Sequence, residues 1–305
     1  MRSVLPAKAG IQRLAARPWI AACAAMTALA LLCACGKPEP PAVAFAPHGE
    51  PYASKLDFAQ LEYRYPLNTT DRARLTPENL AQLDQEQLDQ IYARLTAGPI
   101  PDGPYDGAIL LPKGSSGQLR AAEIVGGFAG MAVQLKGLKL ETLGETLWKG
   151  KVFYRDQRVL RNRIEDLGVL KAAGLVSGEP KKIEVDGKQT WALFPAKLYC
   201  GQSLLDARRE SVIIDYFFSD EIPGYQEMPD FLAGRRGLRV RDEIRMVRPG
   251  FYLGRAYLDR GFGLNFTLYN KGVAERDGPA WEKTGQAKED CWGGTQQRRR
   301  VASSG

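Results

Sequence analysis

The residues best suited to chemistry lie toward the C-terminus. Asp242, Arg255, Tyr257 and Asn265 stand in runs of alternating polar and apolar side chains, broken by Pro249-Gly250 and by Asp259-Arg260-Gly261. A carboxylate, a guanidinium, a phenol and an amide on one apolar face could orient a small molecule. The arginine fork could grip a ligand carboxylate or phosphate, or it could pair with Asp242 in a closed network. Asp215, inside the apolar run Val212 to Phe218, is a further candidate for an inward-pointing charge. Acid–base catalysis by Asp242, Arg255 and Tyr257 would have to proceed without imidazole. The 305-residue chain has one histidine, His48, and any Ser-His-Asp, Cys-His, zinc-histidine or haem-histidine centre would need it.

These side chains need strands to position them. From Trp148 onward the pattern is of short β-branched and aromatic runs separated by tight turns, including Asp186-Gly187 between Ile183 to Val185 and Thr190 to Phe194. Arg239 to Arg248, Phe251 to Leu258 and Phe262 to Tyr269 continue it. With a two-residue loop at Pro249-Gly250, Arg248 faces Phe251, Ile244 faces Arg255 and Asp242 faces Tyr257. A three-residue second loop sets Leu258 against Phe262 and Arg255 against Asn265. One face then carries Asp242, Ile244, Met246, Leu253, Arg255, Tyr257, Asn265, Thr267 and Tyr269. A one-residue slip would exchange the faces. The expected fold class is α+β: an antiparallel meander closing into a barrel or half-barrel, preceded by helices.

The helical part is read from 56 to 147 and the barrel from 148 to 292. Thr76-Pro77-Glu78 has the form of a helix start, and Leu80, Leu83, Leu88, Ile91 and Leu95 form an apolar stripe with a break near Asp84. Gly98-Pro99 ends it, and an apolar strand follows at Ala108 to Leu111. Residues 118–140, rich in Ala and Gly, are read as a helix. Gly126-Gly127 lacks the Gly-Lys-Ser/Thr of a phosphate loop. No cysteine or acidic spacing indicates a metal, and no motif indicates a cofactor. Asp242-Glu243 and Asp220-Glu221 are adjacent, so on a strand they point apart and do not make a carboxylate pair.

The N-terminus carries an address. Residues 1–34 contain Arg2, Lys8, Arg13 and Arg17, no acid, and an apolar run from Trp19 to Leu32. Basic, then apolar, then small residues is the order of a secretory signal peptide. The run has 14 residues, short of the roughly 20 that span a bilayer. Leu32-Cys33-Ala34-Cys35-Gly36 resembles the lipobox of bacterial lipoproteins. The resemblance implies cleavage after Ala34, acylation (palmitate among the chains) at Cys35, and attachment to the membrane of the cell envelope. Gly36 is not an acidic retention residue, which by the same resemblance implies the outer membrane, facing the periplasm. Residues 35–55 then read as a Pro-rich tether that includes His48.

Processing changes the totals. Lys plus Arg is 42 against 35 acids, +7 overall; without the four leader cations, 38 face 35 and the net is +3. That balance gives no case for nucleic acid. Arg298 to Arg300 lies in a Ser- and Gly-ended segment, so 293–305 reads as a disordered tail. Of five cysteines, Cys23 and Cys33 leave with the leader and Cys35 is acylated. Cys200 and Cys291 remain, an even pair in an oxidising compartment, and are expected to form a disulfide worth about 4 kcal/mol in the chain-entropy account.

Gly103-Pro104-Tyr105-Asp106-Gly107, Trp148-Lys149-Gly150-Lys151, and Arg241-Asp242-Glu243-Ile244-Arg245 through Pro249-Gly250 to Tyr252-Leu253-Gly254 are similar to the lipocalin-like bacterial proteins of the GXWXG type. Tyr105 stands at the motif's Trp position. The resemblance implies a β-barrel and no particular reaction. The reading that follows is an anchored envelope protein binding a small amphipathic or anionic ligand in a barrel pocket. Its alternatives are a histidine-independent enzyme using Asp242, Arg255 and Tyr257, and an assembly or scaffold protein docking through 76–140.

Overall fold

Eight antiparallel strands close into a barrel in the computed structural model, which describes residues 38–47, 57–110, 148–172, 174–176 and 178–294. The strands are β1 (Gly103–Leu110), β2 (Trp148–Tyr154), β3 (Val159–Ile164), β4 (Lys182–Val185), β5 (Lys188–Gln202), β6 (Glu210–Asp215), β7 (Val240–Arg248), β8 (Phe251–Leu258) and β9 (Gly261–Tyr269). Their order is β3-β2-β1-β9-β8-β7-β6-β5, and pairing of β3 with β5 closes the ring. β4 lies outside the ring as a hairpin arm on the first half of β5. The helices are α1 (Phe58–Arg64), α2 (Thr69–Ala73), α3 (Pro77–Leu80), α4 (Gln85–Ala93), α5 (Gly168–Ala172), α6 (Glu227–Asp230) and α7 (Lys271–Thr284). This is the expected α+β barrel, closed rather than half-open. The leader, Cys35, His48, the helix read at 118–140 and Arg298 to Arg300 lie outside the described residues.

The helical stripe is divided at Asp84 for a local reason. Thr76 and Asn79 form a reciprocal capping box at α3, and Asp84 and Gln87 form a second at α4. Two orphan amides are satisfied at each start, which ends one helix and begins the next. Leu80, Leu83, Leu88 and Ile91 then pack on the outer wall of the barrel against Val247, Phe251 and Leu253. A second apolar core fills part of the lumen, with Tyr105, Phe153, Ile214, Met246, Tyr252 and Leu268.

The helical segment also supplies a wall. The strand expected from Ala108 begins at Gly103 and pairs with both β2 and β9. Part of the expected tether is docked as well. Gln90 on α4 donates to Ala46 O at 3.0 Å and accepts from Ala46 N at 2.9 Å, and Ala46 is buried. At the other end of the chain, a disulfide joins Cys200 to Cys291, 91 residues apart. Glu289 accepts from Gly98 N at 2.8 Å, and Asp290 accepts from Ile100 N at 2.9 Å, so the segment after α7 is fastened to the end of the barrel where β1 starts.

Two irregularities decide which side chains enter the lumen. Gly150, at φ +130, shifts the β2 register between Trp148 and Gly150. A Cβ there would lie 2.0 Å from Tyr105 O, so only glycine fits. The bulge turns both Trp148 and Lys151 inward, where strict alternation would separate them. On β7 the register shifts between Met246 and Arg248. Met246 N donates to Thr96 O at 2.8 Å, and Arg72 donates to Val247 O at 2.7 Å and Met246 O at 3.1 Å.

Candidate functional site

The second irregularity corrects the expected face. Arg248 does face Phe251, but the extra residue at Val247 sets Ile244 against Gly254 and Asp242 against Ala256. Asp242 therefore points into the lumen, while Arg255 and Tyr257 point outward, on the face of Glu243 and Arg245. The second loop is also shorter than expected: Leu258 pairs with Gly261, and a bulge between Ala256 and Tyr257 restores Arg255 opposite Asn265. Asn265 is thus outward with Arg255.

The outward residues are held by α4. Arg255 pairs with Asp89 and donates to Tyr257 Oη at 2.9 Å, and Asn265 donates to Gln85 Oε1 at 2.8 Å. Beside them, buried Arg245 donates to Ser211 Oγ at 3.0 Å, Tyr92 O at 3.2 Å and Asp206 Oδ2 at 3.2 Å. These groups glue the helix to the barrel wall. Asp215 is outward too. It accepts from Tyr199 Oη at 2.7 Å and from Phe217 N at 2.9 Å, and so braces the exit from β6. The expected pocket constellation is divided: of the candidate residues Asp215, Asp242, Arg255, Tyr257 and Asn265, Asp242 alone faces the interior.

Inside, Asp242 meets residues that alternation did not single out. Lys151 on β2 reaches Asp242 Oδ2 at 3.0 Å. It also donates to Asn162 Oδ1 on β3 at 2.9 Å and to Tyr216 Oη, one residue past β6, at 2.6 Å. β2 and β7 are separated by three strands in either direction around the ring, so this ion pair spans the lumen. Asn162 accepts from Trp148 Nε1 at 2.9 Å and donates to Phe194 O and Tyr216 Oη, each at 3.0 Å. The Lys151 ammonium lies 5.4 Å from the ring centroid of Trp148 and 5.4 Å from that of Phe266, within the range at which an aromatic face attracts a cation.

Burial sets the protonation behaviour. It pushes the Asp242 carboxyl above the ordinary aspartate range, and Lys151 offsets only part of that. For Lys151, burial opposes the charge, but Asp242 and Tyr216 together outweigh it and leave the ammonium above its ordinary value. Burial pushes Tyr216 up to about 12, so its hydroxyl stays protonated at neutral pH.

The polar crossbar divides the lumen. On one side Tyr105, Phe153, Tyr252, Met246 and Leu268 fill the barrel, and Tyr252 Oη donates to Pro99 O at 2.6 Å. On the other side lies a cavity of about 250 Å³. Its walls include Ile109, Trp148, Ile164, Phe194, Val240, Ala256, Leu264 and Phe266, with Lys151, Asn162, Tyr216 and Asp242 as the polar groups. The β6–β7 connection contributes Ala233. Buried Asp230 in that connection accepts from Phe194 N at 2.7 Å and Gln226 N at 2.9 Å, which fastens it to β5. Apolar walls around a few placed polar groups are the composition of a small-molecule pocket. The signal for Lys151 in the sequence was Gly150, a glycine inside a strand.

Cys200, Cys291 and Glu210 lie close enough to suggest a metal group, but both sulfurs are in the disulfide and have no thiolate to offer. No family model matches the chain, and no curated protein matches it. Among solved structures it is similar to a crystal structure of a protein from Thermomonospora curvata, with 17% identity over 62% of this chain and 89% of that one, at a TM-score of 0.33.

Proposed function

We propose that this protein is a lipid-anchored envelope protein whose barrel holds a small amphipathic molecule. The observation that carries the ligand reading is an apolar cavity of about 250 Å³ lined on one side by the buried polar cluster of Lys151, Asn162, Tyr216 and Asp242. A stability-driven core would fill such a space, since each unfilled methyl-sized void costs about 1 kcal/mol. The anchor reading is carried by the basic and apolar leader and by Leu32-Cys33-Ala34-Cys35. Acyl chains at Cys35 would hold the protein at the membrane, at about 0.8 kcal/mol per buried methylene.

Two measurements test these parts separately. Palmitate labelling of the full chain in a bacterial host should be strong and should vanish in Cys35→Ser; equal labelling of both would remove the anchor. For the ligand, organic extraction of the purified full chain should yield a small molecule in near-stoichiometric amount. Ala256→Phe, which projects a ring into the cavity, should lose it. Retention of the same molecule by that folded variant would place binding elsewhere.

A further inference from the structure

The hydrogen-bond inventory of the crossbar says what kind of ligand head it can accept, on the reading that the cavity is a binding site. Every donor is already committed. The three Lys151 protons go to Asn162, Tyr216 and Asp242. Both Asn162 amide protons go to Phe194 O and Tyr216 Oη, and the Trp148 indole goes to Asn162 Oδ1. The Tyr216 hydroxyl accepts from Lys151 and Asn162, and its own proton lies between Asp242 Oδ2 and Asn162 Oδ1, each at 3.4 Å. No donor is left for an incoming anion.

One acceptor is left. Asp242 Oδ2 takes the Lys151 and Tyr216 contacts, while Oδ1 has no hydrogen-bond partner among the described residues. Nor is Oδ1 sealed away: among the described residues the buried, partnerless side-chain polar atoms lie elsewhere, at Arg94, Arg163, Trp191, Arg209, Asp220, Gln226 and Arg248. Oδ1 is therefore reached from the cavity that Asp242 lines. Its residue is 4% exposed, so an unmet carboxylate oxygen there is costly and a ligand donor would relieve it.

We propose that the cavity selects a neutral, largely apolar molecule of about two fused rings that carries one O–H or N–H donor, which Asp242 Oδ1 accepts. The size follows from volume. An apolar cavity of about 150 Å³ holds a benzene ring, and this one is about 250 Å³. Flat ring walls at Trp148 and Phe266, packed edge-to-face with centroids 5.8 Å apart, favour aromatic guests. An anionic head would face a carboxylate with no free donor nearby. An ammonium head would be repelled by Lys151, which sits 3.0 Å from the same carboxylate.

The test compares 2-naphthol, naphthalene and 2-naphthoate at pH 7. Equilibrium binding to the full chain in detergent is read against protein-free micelles. Naphthol should bind roughly 10- to 100-fold tighter than either analogue, the range of one hydrogen bond to a charged group. In Lys151→Met/Asp242→Leu, naphthalene should still bind and the preference for naphthol should vanish. If that variant does not fold, Asp242→Asn should still narrow the preference. Naphthoate or naphthalene binding as tightly as naphthol would overturn the donor selection and leave the pocket reading standing. Binding of none of the three would overturn both.

Discussion

Arg72 donates to the carbonyl of Val247 at 2.7 Å, and this contact, between residues 175 apart, holds the bulge that decides which way Asp242 faces. Its second bond, to Met246 O at 3.1 Å, fixes the same irregularity. Burial pushes this guanidinium down to about 10, still charged at neutral pH. Arg72→Met leaves both carbonyls without that donor. It should cost about 1.5–3 kcal/mol in urea unfolding, raise amide exchange across 246–248, and weaken ligand binding although Arg72 lies outside the lumen. Unaltered exchange at those amides would show that the bulge is held without Arg72.

The crossbar should behave as a buried ion pair. Lys151→Met leaves Asp242 without its counter-charge and should cost about 3–5 kcal/mol. Lys151→Met/Asp242→Leu removes both charges and should recover most of that loss. Chemical denaturation of the three proteins at pH 7 decides it. A double variant as unstable as the single one would mean the pair is not self-contained.

Arg255 separates packing from binding. Its partners are Asp89 and Tyr257 on the helix-covered face. Arg255→Met should lower stability by about 1.5–3 kcal/mol and leave the affinity of a cavity ligand within twofold. A large affinity loss at retained folding would put Arg255 back into the binding site.

Asp206 should govern part of the acid limb of stability. Burial opposes its charge, but Arg208 and Arg245 outweigh burial and hold the carboxyl below its ordinary value. A depressed folded pKa gives a contribution that is complete above the unfolded value of about 3.9 and is lost as pH falls through the folded value. Melting of the wild type should therefore steepen below about pH 3.9, and Asp206→Asn should flatten that part of the curve. Parallel curves for the two proteins would remove Asp206 from the acid response.

Much of the barrel was legible because turns and β-branched runs are local signals. Pro249-Gly250 is such a turn, whereas Arg255 faces Asn265 only because a shorter loop and a bulge offset each other. The interior chemistry was not local. The extra residue at Val247 depends on Thr96 and Arg72, far away in the chain, so counting from the turn placed Asp242 with Arg255. In β6 the residues Val212, Ile213 and Ile214 are all buried, one face by the lumen and the other by covering elements. Without a polar face the run has no period to read, and its one charge, Asp215, lies outward while Tyr216 is the inward residue. Lys151 was hidden by a bulge, although Gly150 announced one.

The crossbar makes the barrel a cup rather than a pipe. With Tyr252, Phe153 and Tyr105 packed beneath Lys151 and Asp242, nothing can traverse the ring from end to end. Whatever enters must leave past the same rim, where the connection bearing Ala233 is stapled to β5 through Asp230. Filling and emptying are then one path run in two directions.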